Sequence, residues 1–405
     1  MIARCLPLAI AALLAGCSIG GGGDKEPQPA QRSVKIVSLL PKQGRDAARA
    51  VPMADAIEAA LQARAGRAGR FRVTLVRADT TDPVAGQETE RSCTGVGRRY
   101  ADDRTVVGIV GPLQPACAAN IVPTLNQAGL IVVSPTEAYP GFTHEITVPG
   151  DAQCFRCAPD ELYPTGVRTY ARMTPPWDSE GRAAAQILRR LGTKRAYAIS
   201  DSDAFATPYL AGFLSEAHRA GVRVVQQIRY GKSSAPERIA ADASRANADA
   251  VFIAAATAGR APSIVAALRR QGFDDPIVVP SPVATEASPT QLKLLDSAYE
   301  TSNLAPLSAL PTAAQRFARD HGAASFAVDV ARAYEAANML LDAIAASDGS
   351  RAEVRKQLFG LSRKGILGTL RFNANGDVQP QEIAVSRVHN GNLEYRETVR
   401  LGTDG

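Results

Sequence analysis

The sequence predicts an α/β protein with parallel sheets in two lobes, and three observations predict it. Short β-branched apolar runs alternate with segments of helical period along most of the chain, as expected of strands covered on both faces. Each run stops at a small polar or Pro-containing loop before the next helix, the arrangement that parallel strands with crossover helices require. At 405 residues the chain exceeds the usual single domain, so two lobes, each with its own core, are the default.

The clearest stretch is residues 105–136. Residues 105–110 (TVVGIV) form a buried strand that stops at Gly111-Pro112, residues 116–127 form a helix up to Gly129, and residues 130–133 (LIVV) form a second strand ended by Ser134-Pro135-Thr136. Two parallel strands thus end in small polar loops on one sheet edge, which is where open α/β sheets bind ligands. The backbone N–H groups from Gln114 to Cys117, at a helix start, favour an anionic group there. The same residues also suit plain tight turns, and the loops alone do not decide between the two.

Before this stretch, residues 33–40 (SVKIVSLL) alternate into a first strand stopped by Pro41, and a polar loop runs from Lys42 to Arg45. Residues 46–64 carry Val51, Ala54, Ile57 and Leu61 at helical spacing; residues 71–78 (FRVTLVRA) are the next strand, turned by Asp79 to Pro83, and residues 85–100 read as helix. From 137 to 164 the pattern lapses into a Pro-rich excursion containing Cys154-Phe155-Arg156-Cys157. Order returns with helices at 182–191, 209–220, 239–246 and 263–271, and strands at 195–199, 222–226, 250–254 and 276–279, a second α/β unit in its own right. Residues 313–320 and 326–346 are helices. The chain ends in antiparallel strands at 368–372, 382–388 and 393–399, the last two joined by a turn at Asn390-Gly391.

Composition excludes some functions. Lys and Arg total 46 against 40 Asp and Glu, a net charge of +6. The basic residues are scattered as helix-surface pairs such as Arg98-Arg99, Arg189-Arg190 and Arg269-Arg270 without aromatic interleaving, so no nucleic-acid surface is expected. The 4 histidines, His144, His218, His321 and His389, stand in no metal or triad spacing and read as surface residues. Cys154 and Cys157 have the spacing of a thiol redox motif, but they do not open a helix after a strand and lack the partners of a zinc site. No cofactor or metal is expected, and a thiol redox enzyme is the least favoured reading.

The N-terminus is an address. Met1 to Arg4 is a small basic segment and Leu6 to Leu14 an apolar one too short to span a bilayer. Leu14-Ala15-Gly16-Cys17 follows and resembles the bacterial lipobox. That resemblance implies cleavage after residue 16, acylation of Cys17, and a mature chain tethered to a membrane outside the cytoplasm. Residues 18–31 (SIGGGGDKEPQPAQ) are a flexible spacer.

A family resemblance rests on motifs spread over residues 33–399. Leu40-Pro41 with its polar loop, the turn from Asp79 to Pro83, residues 107–112 (VGIVGP) with Pro123 downstream, Ser134-Pro135-Thr136, Tyr334-Glu335-Ala336 and residues 368–377 (GTLRFNANGD) occur in the order seen in type I solute-binding proteins. The chain resembles the branched-chain amino acid receptors of ABC importers, and Tyr163-Pro164-Thr165-Gly166-Val167-Arg168 looks like a variant found in lipoprotein members. The resemblance implies the type I periplasmic-binding-protein fold: two Rossmann-like lobes with parallel sheets, joined by three hinge crossovers near Arg168, Asn303 and Gly368, closing over a small solute. The expected organisation is a signal peptide at 1–16, lipidated Cys17 and linker at 17–32, a first lobe at 33–168 plus 304–368, and a second at 169–303 plus 369–400.

It also implies a binding set. The loop after residues 105–110 holds the ligand carboxylate; here it offers Gln114, Pro115 and Ala116, so the family's hydroxyl is missing. The next loop contributes Ser134, Thr136 and Ala138. The second lobe has Phe205 where the family has Tyr, and Ser281 where the family has the acidic partner of the ligand ammonium. A desolvated ammonium needs such a partner, and Asp329 or Glu137 are the substitutes available, unless Asp329 only interrupts a helix face and Glu137 sits on a solvated loop.

With Cys5 removed and Cys17 acylated, Cys93, Cys117, Cys154 and Cys157 remain. An even number in an exported domain reads as two disulfides, with three connectivities open. The resemblance implies Cys93 with Cys117, since related receptors carry a disulfide at similar positions. Both residues can approach one edge of the first lobe, and Cys154 is left to Cys157. The expected function is a monomeric, lipid-anchored receptor that closes on a small amino-acid-like or carboxylate solute and hands it to ABC permease subunits, with a ligand-sensing regulatory lipoprotein of the same fold as the alternative.

Overall fold

The computed structural model describes residues 32–150, 152–201, 203–231 and 233–402. The leader, Cys17 and the linker to Gln31 lie outside the described residues. Two sheets dominate. The first has 6 strands in the spatial order Arg67–Ala68, Phe71–Ala78, Ser33–Leu39, Val106–Val110, Ile131–Ser134 and Tyr170–Arg172. All pair in parallel except the short first one, which is antiparallel. The second has 7 strands: Arg223–Tyr230, Arg195–Asp201, Ala250–Ala254, Ile277–Pro280 and Tyr299–Ser302 run parallel, and Gln381–His389 and Asn392–Leu401 add an antiparallel edge.

The central strands are buried along their whole length because helices cover both faces. Val106–Val110, Ile131–Ser134, Ala250–Ala254 and Ile277–Pro280 bury every residue, as all-apolar runs in a parallel sheet do. The long helix Ala327–Ala346 packs its apolar residues into the core of the first sheet. In the second unit, helices Trp177–Arg190 and Thr207–Ala220 touch backbone to backbone. A Cβ on Gly181 would fall 2.0 Å from the Tyr209 carbonyl oxygen, and one on Gly212 2.0 Å from that of Asp178, so both positions require glycine.

Several elements differ from the sequence expectation. The helix expected at 85–100 is Glu90–Asp102. Its start is delayed because the Asp82 side chain accepts the N–H groups of Val84 and Ala85, which turns a hairpin pairing Thr81–Asp82 with Gln87–Glu88. A capping box between Thr89 and Ser92 then opens the helix. The strand Tyr170–Arg172 joins the first sheet, so these residues do not belong with the second lobe to which the sequence reading gives them. Leu370, Phe372 and Val378 pack in the core of the first sheet, which likewise moves the last passage between sheets from Gly368 to the stretch before Gln381. Tyr299–Ser302 and helix Arg351–Gly360 were not expected.

Candidate functional site

The carboxyl ends of the strands in both sheets open onto one cleft of about 580 Å³. Its walls are the loops that follow those strands. From the first sheet come Arg45, Asp46 and Arg49 after Ser33–Leu39, Glu88 and Thr89 after Phe71–Ala78, Leu113 to Cys117 after Val106–Val110, and Thr136 and Ala138 after Ile131–Ser134. From the second come Asp203 and Phe205 after Arg195–Asp201, Ala256 and Thr257 after Ala250–Ala254, Ser281 and Glu286 after Ile277–Pro280, and Asn303 and Leu304 after Tyr299–Ser302. This is the edge at which α/β sheets hold ligands.

Local sequence fixes the first wall. Gly111 takes φ 131°, and a Cβ there would lie 2.2 Å from the Leu39 carbonyl oxygen, so the strand turns sharply into the helix Pro115–Gln127. Gln114 is the N-cap residue of that helix but makes no side-chain cap, which leaves the first-turn N–H groups facing the cleft for an anion. Ser134 braces the neighbouring loop from beneath: its hydroxyl donates to the Pro112 carbonyl at 2.8 Å and accepts the Glu137 N–H at 2.9 Å. Thr136 donates to the Leu113 carbonyl at 3.0 Å. Cys93 and Cys117 are joined with Cα atoms 5.4 Å apart, and Cys154 to Cys157 at 5.6 Å.

The opposite wall is aromatic. Trp177 stacks on Tyr209 with ring centroids 5.7 Å apart and meets Phe205 at 6.1 Å. Phe205 is backed by Phe155 of the Cys154 to Cys157 loop, stacked at 5.0 Å, and by Tyr139, edge-on at 5.6 Å. The Tyr139 hydroxyl accepts the Phe155 N–H at 2.7 Å and donates to the Ala204 carbonyl at 3.3 Å. Thr207 donates to the Gln153 carbonyl. The excursion after the first-sheet strand Ile131–Ser134 is therefore fastened to the loop that presents Phe205.

Of the residues expected from sequence, Gln114, Pro115, Ala116, Thr136, Ala138, Phe205 and Ser281 line the cleft, and Ser134, Asp329 and Glu137 do not. Asp329 is buried and accepts from Arg49 at 2.7 Å, beside Arg332 at 4.0 Å; Arg49, not Asp329, meets the cleft. Glu137 is fully buried, not on a solvated loop. It accepts the Tyr170 hydroxyl at 2.6 Å and the Tyr139 N–H at 2.5 Å, and burial pushes it up to about 7. His144 is half-buried and partnered rather than free at the surface: it pairs with Asp178 at 3.1 Å and Asp377 at 3.5 Å. These two carboxylates outweigh burial and raise it to about 10.

Sequence reasoning missed Arg49, Glu88, Trp177, Tyr209 and Asn303. The polar loop ending at Arg45 and the helix after it signalled the first; the others carry no local signal. Glu88, Cys93 and Cys117 place one ligand-type atom each within 4.8 Å of one another. The two sulfurs are bonded to each other, so this trio is no metal site.

The profile of the periplasmic binding protein family matches residues 33–392. No curated protein matches the chain. Among solved structures, an ABC transporter substrate-binding protein from Desulfitobacterium hafniense in complex with Leu has 19% identity and a TM-score of 0.68, over 90% of this chain and 100% of that one. A branched-chain amino acid transporter substrate-binding protein from Streptococcus pneumoniae in complex with isoleucine has 17% identity and a TM-score of 0.63, over 91% and 100%. A solute-binding protein of an ABC transporter from R. palustris in complex with benzoate has 16% identity and a TM-score of 0.61, over 92% and 98%. At such identities the likeness is one of fold, and with the family profile spanning nearly the whole described chain it leads to one conclusion: the chain belongs to the periplasmic binding protein family.

Proposed function

We propose that this chain is the solute receptor of an ABC importer, held outside the cytoplasm by acyl chains on Cys17, and that it takes up a small carboxylate, amino-acid-like or simple, by closing two lobes over it. The observation that carries the reading is the cleft itself: loops from the carboxyl ends of both sheets line one cavity, of the size that small-molecule sites have. The uncapped helix at Pro115 receives the carboxylate, with Arg45 and Arg49 adding positive charge, and Trp177, Phe205 and Tyr209 cover the apolar part. The solute-binding proteins of similar fold were solved with leucine, isoleucine and benzoate, which supports a carboxylate ligand.

Closure follows from differential affinity: a solute touching both walls stabilises the closed population over the open one. The passages between the sheets, at 173–176, 303–306 and 379–381, are where the hinge acts. Binding, not turnover, is the function, and the closed monomer is what the permease reads. A thermal-shift panel of amino acids, short amides and carboxylates tests this. A receptor gains stability from its solute by mass action, and Gln114→Ala and Phe205→Ala each weaken the hit. A flat response across the panel overturns the importer reading in favour of a regulatory lipoprotein, and unchanged affinity in both variants means the site lies elsewhere.

A further inference from the structure

The receptor reading leaves open whether the solute carries an amino group, and Ser281, where related receptors place an acid, offers no charge. We propose that Glu88, from the first sheet's side of the cleft, accepts the protonated amine of the solute, so that the receptor selects a zwitterion over a simple carboxylate. The inference rests on the receptor reading and adds to it a residue and a ligand class.

Five carboxylates line the cleft, and only Glu88 is both sheltered and half unpartnered. Its Oε1 accepts the Thr80 hydroxyl at 2.5 Å; its Oε2 is buried with no hydrogen-bond partner. By contrast, Glu90, Asp203 and Glu286 are exposed, and Asp46 stands beside Arg45 at 3.9 Å. A buried acceptor without a donor is costly; Oε2 is covered by protein here, and a turn of the Glu88 side chain, which lines the cleft, brings it to an ammonium bound there.

Position fits the class. A Glu88 carboxylate oxygen and the Cys117 sulfur lie within 4.8 Å, and Cys117 is in the first turn of helix Pro115–Gln127. The acceptor for an ammonium therefore stands beside the helix turn whose N–H groups receive a carboxylate, on the same side of the cleft. The first lobe alone then holds both charged ends, and the second supplies the aromatic cover.

Glu88 is also poised to report binding. Burial, with smaller contributions from Asp46 after Ser33–Leu39 and Asp79 after Phe71–Ala78, pushes it up to about 7; Arg45, Arg49 and Glu90 are the other charges that the first sheet's side gives the cleft wall. A bound ammonium favours the ionised form, so uptake at neutral pH expels a proton.

The test uses calorimetry on the purified protein and its Glu88→Gln variant, with leucine, 4-methylpentanoate and benzoate as probes. Mass spectrometry identifies any solute released from gently purified protein, and that compound is run beside its des-amino analogue. The expected results are an amine on the released solute, tighter binding of the zwitterion, and a loss of about tenfold or more in Glu88→Gln for the zwitterion only. Proton release, read as the difference in heat between phosphate and Tris buffers at pH 7, disappears in the variant. If Glu88 merely complements the helix terminus, the variant instead melts lower without ligand and shifts all probes alike, which overturns the proposal. Equal or tighter binding of benzoate or 4-methylpentanoate overturns it while leaving the receptor reading intact. No binding and no released solute overturn both.

Discussion

Ser281 hangs on Glu180: its hydroxyl donates to Oε1 at 3.0 Å and its backbone N–H to Oε2 at 2.9 Å. Glu180 also takes the Asn303 N–H at 3.1 Å, so one fully buried carboxylate braces two loops of the cleft wall. Where the resemblance puts an acid facing the ligand, this chain has a neutral hydroxyl in front and the acid behind it. Burial chiefly, and then repulsion from Glu180, pushes Glu300 up to about 8, and burial pushes Glu180 up to about 7. Glu300 Oε1 has no hydrogen-bond partner.

These raised acids make the folded chain less stable as pH rises. Below about 4.5 both states carry the protons. Between there and the folded values the unfolded chain has lost them and the folded chain has not, so stability falls by about 1.4 kcal/mol per pH unit for each group until the folded group ionises. Glu88 and Glu137, both raised to about 7, act in the same direction. His144, raised to about 10, adds stability that is complete below its unfolded value and is lost as pH rises toward 10. The melting temperature is thus expected to be higher at pH 5 than at pH 8. Glu300→Gln should narrow that gap by raising the pH 8 value while leaving pH 5 nearly unchanged. Scanning calorimetry at the two pH values decides; a variant that melts lower at pH 8 contradicts the account.

Asp329 gives a second prediction. It pairs with Arg49 at 2.7 Å and lies 4.0 Å from Arg332, and Arg332 is buried with one guanidinium nitrogen lacking a hydrogen-bond partner. Asp329→Asn leaves the buried Arg332 without its carboxylate and beside the Arg49 cation. The expected cost is about 3 kcal/mol or more, read from urea unfolding. A change under about 1 kcal/mol would show the pair to be solvent-screened.

The anchor makes a third. Among the described residues no helix is long and apolar enough to cross a membrane, and Cys17 closes a lipobox-like tetrapeptide. Cys17→Ala should abolish acylation and move the exported protein to the soluble fraction. Cell fractionation with a carbonate wash checks it; an unchanged membrane-bound mutant rules the anchor out.

What the sequence made legible were elements whose pattern is local. Residues 105–136 read correctly because two buried strands and a helix leave unambiguous apolar periods, and Gln114 and Thr136 follow once strand ends are known, whereas Ser281 came from the family resemblance alone. Elements held by distant partners were invisible. Tyr170–Arg172 is only 3 residues long, and Arg172 reads as polar surface until Asp377 meets it at 2.6 Å across 205 positions. Asp329 looked available for a ligand because nothing near it in sequence announces Arg49. Glu88 looked like a helix residue because the hairpin that presents it depends on one side chain, Asp82, turning the loop.

The last prediction concerns the excursion that ties the first lobe to Phe205. Phe155 sits between Cys154 and Cys157 and stacks on Phe205 at 5.0 Å. The single tryptophan of the chain, Trp177, packs edge-on to Tyr139 at 5.7 Å and to Phe205 at 6.1 Å, so it lies in the same cluster. Replacing both cysteines by serine frees a short loop, which costs about 1 to 2 kcal/mol on the chain-entropy model. Removing the larger Cys93 to Cys117 link is expected to cost about 3 to 4 kcal/mol. The two should differ in their optical signature. Cys154→Ser with Cys157→Ser, or Phe155→Ala alone, lets water reach the aromatic wall and shifts Trp177 emission to the red in protein that is still folded. Cys93→Ser with Cys117→Ser shifts the emission less, because its cysteines lie on helices Glu90–Asp102 and Pro115–Gln127, outside the excursion that carries Phe155. If Phe155→Ala leaves Trp177 emission and solute affinity both unchanged, the excursion covers the lobe without shaping the cleft.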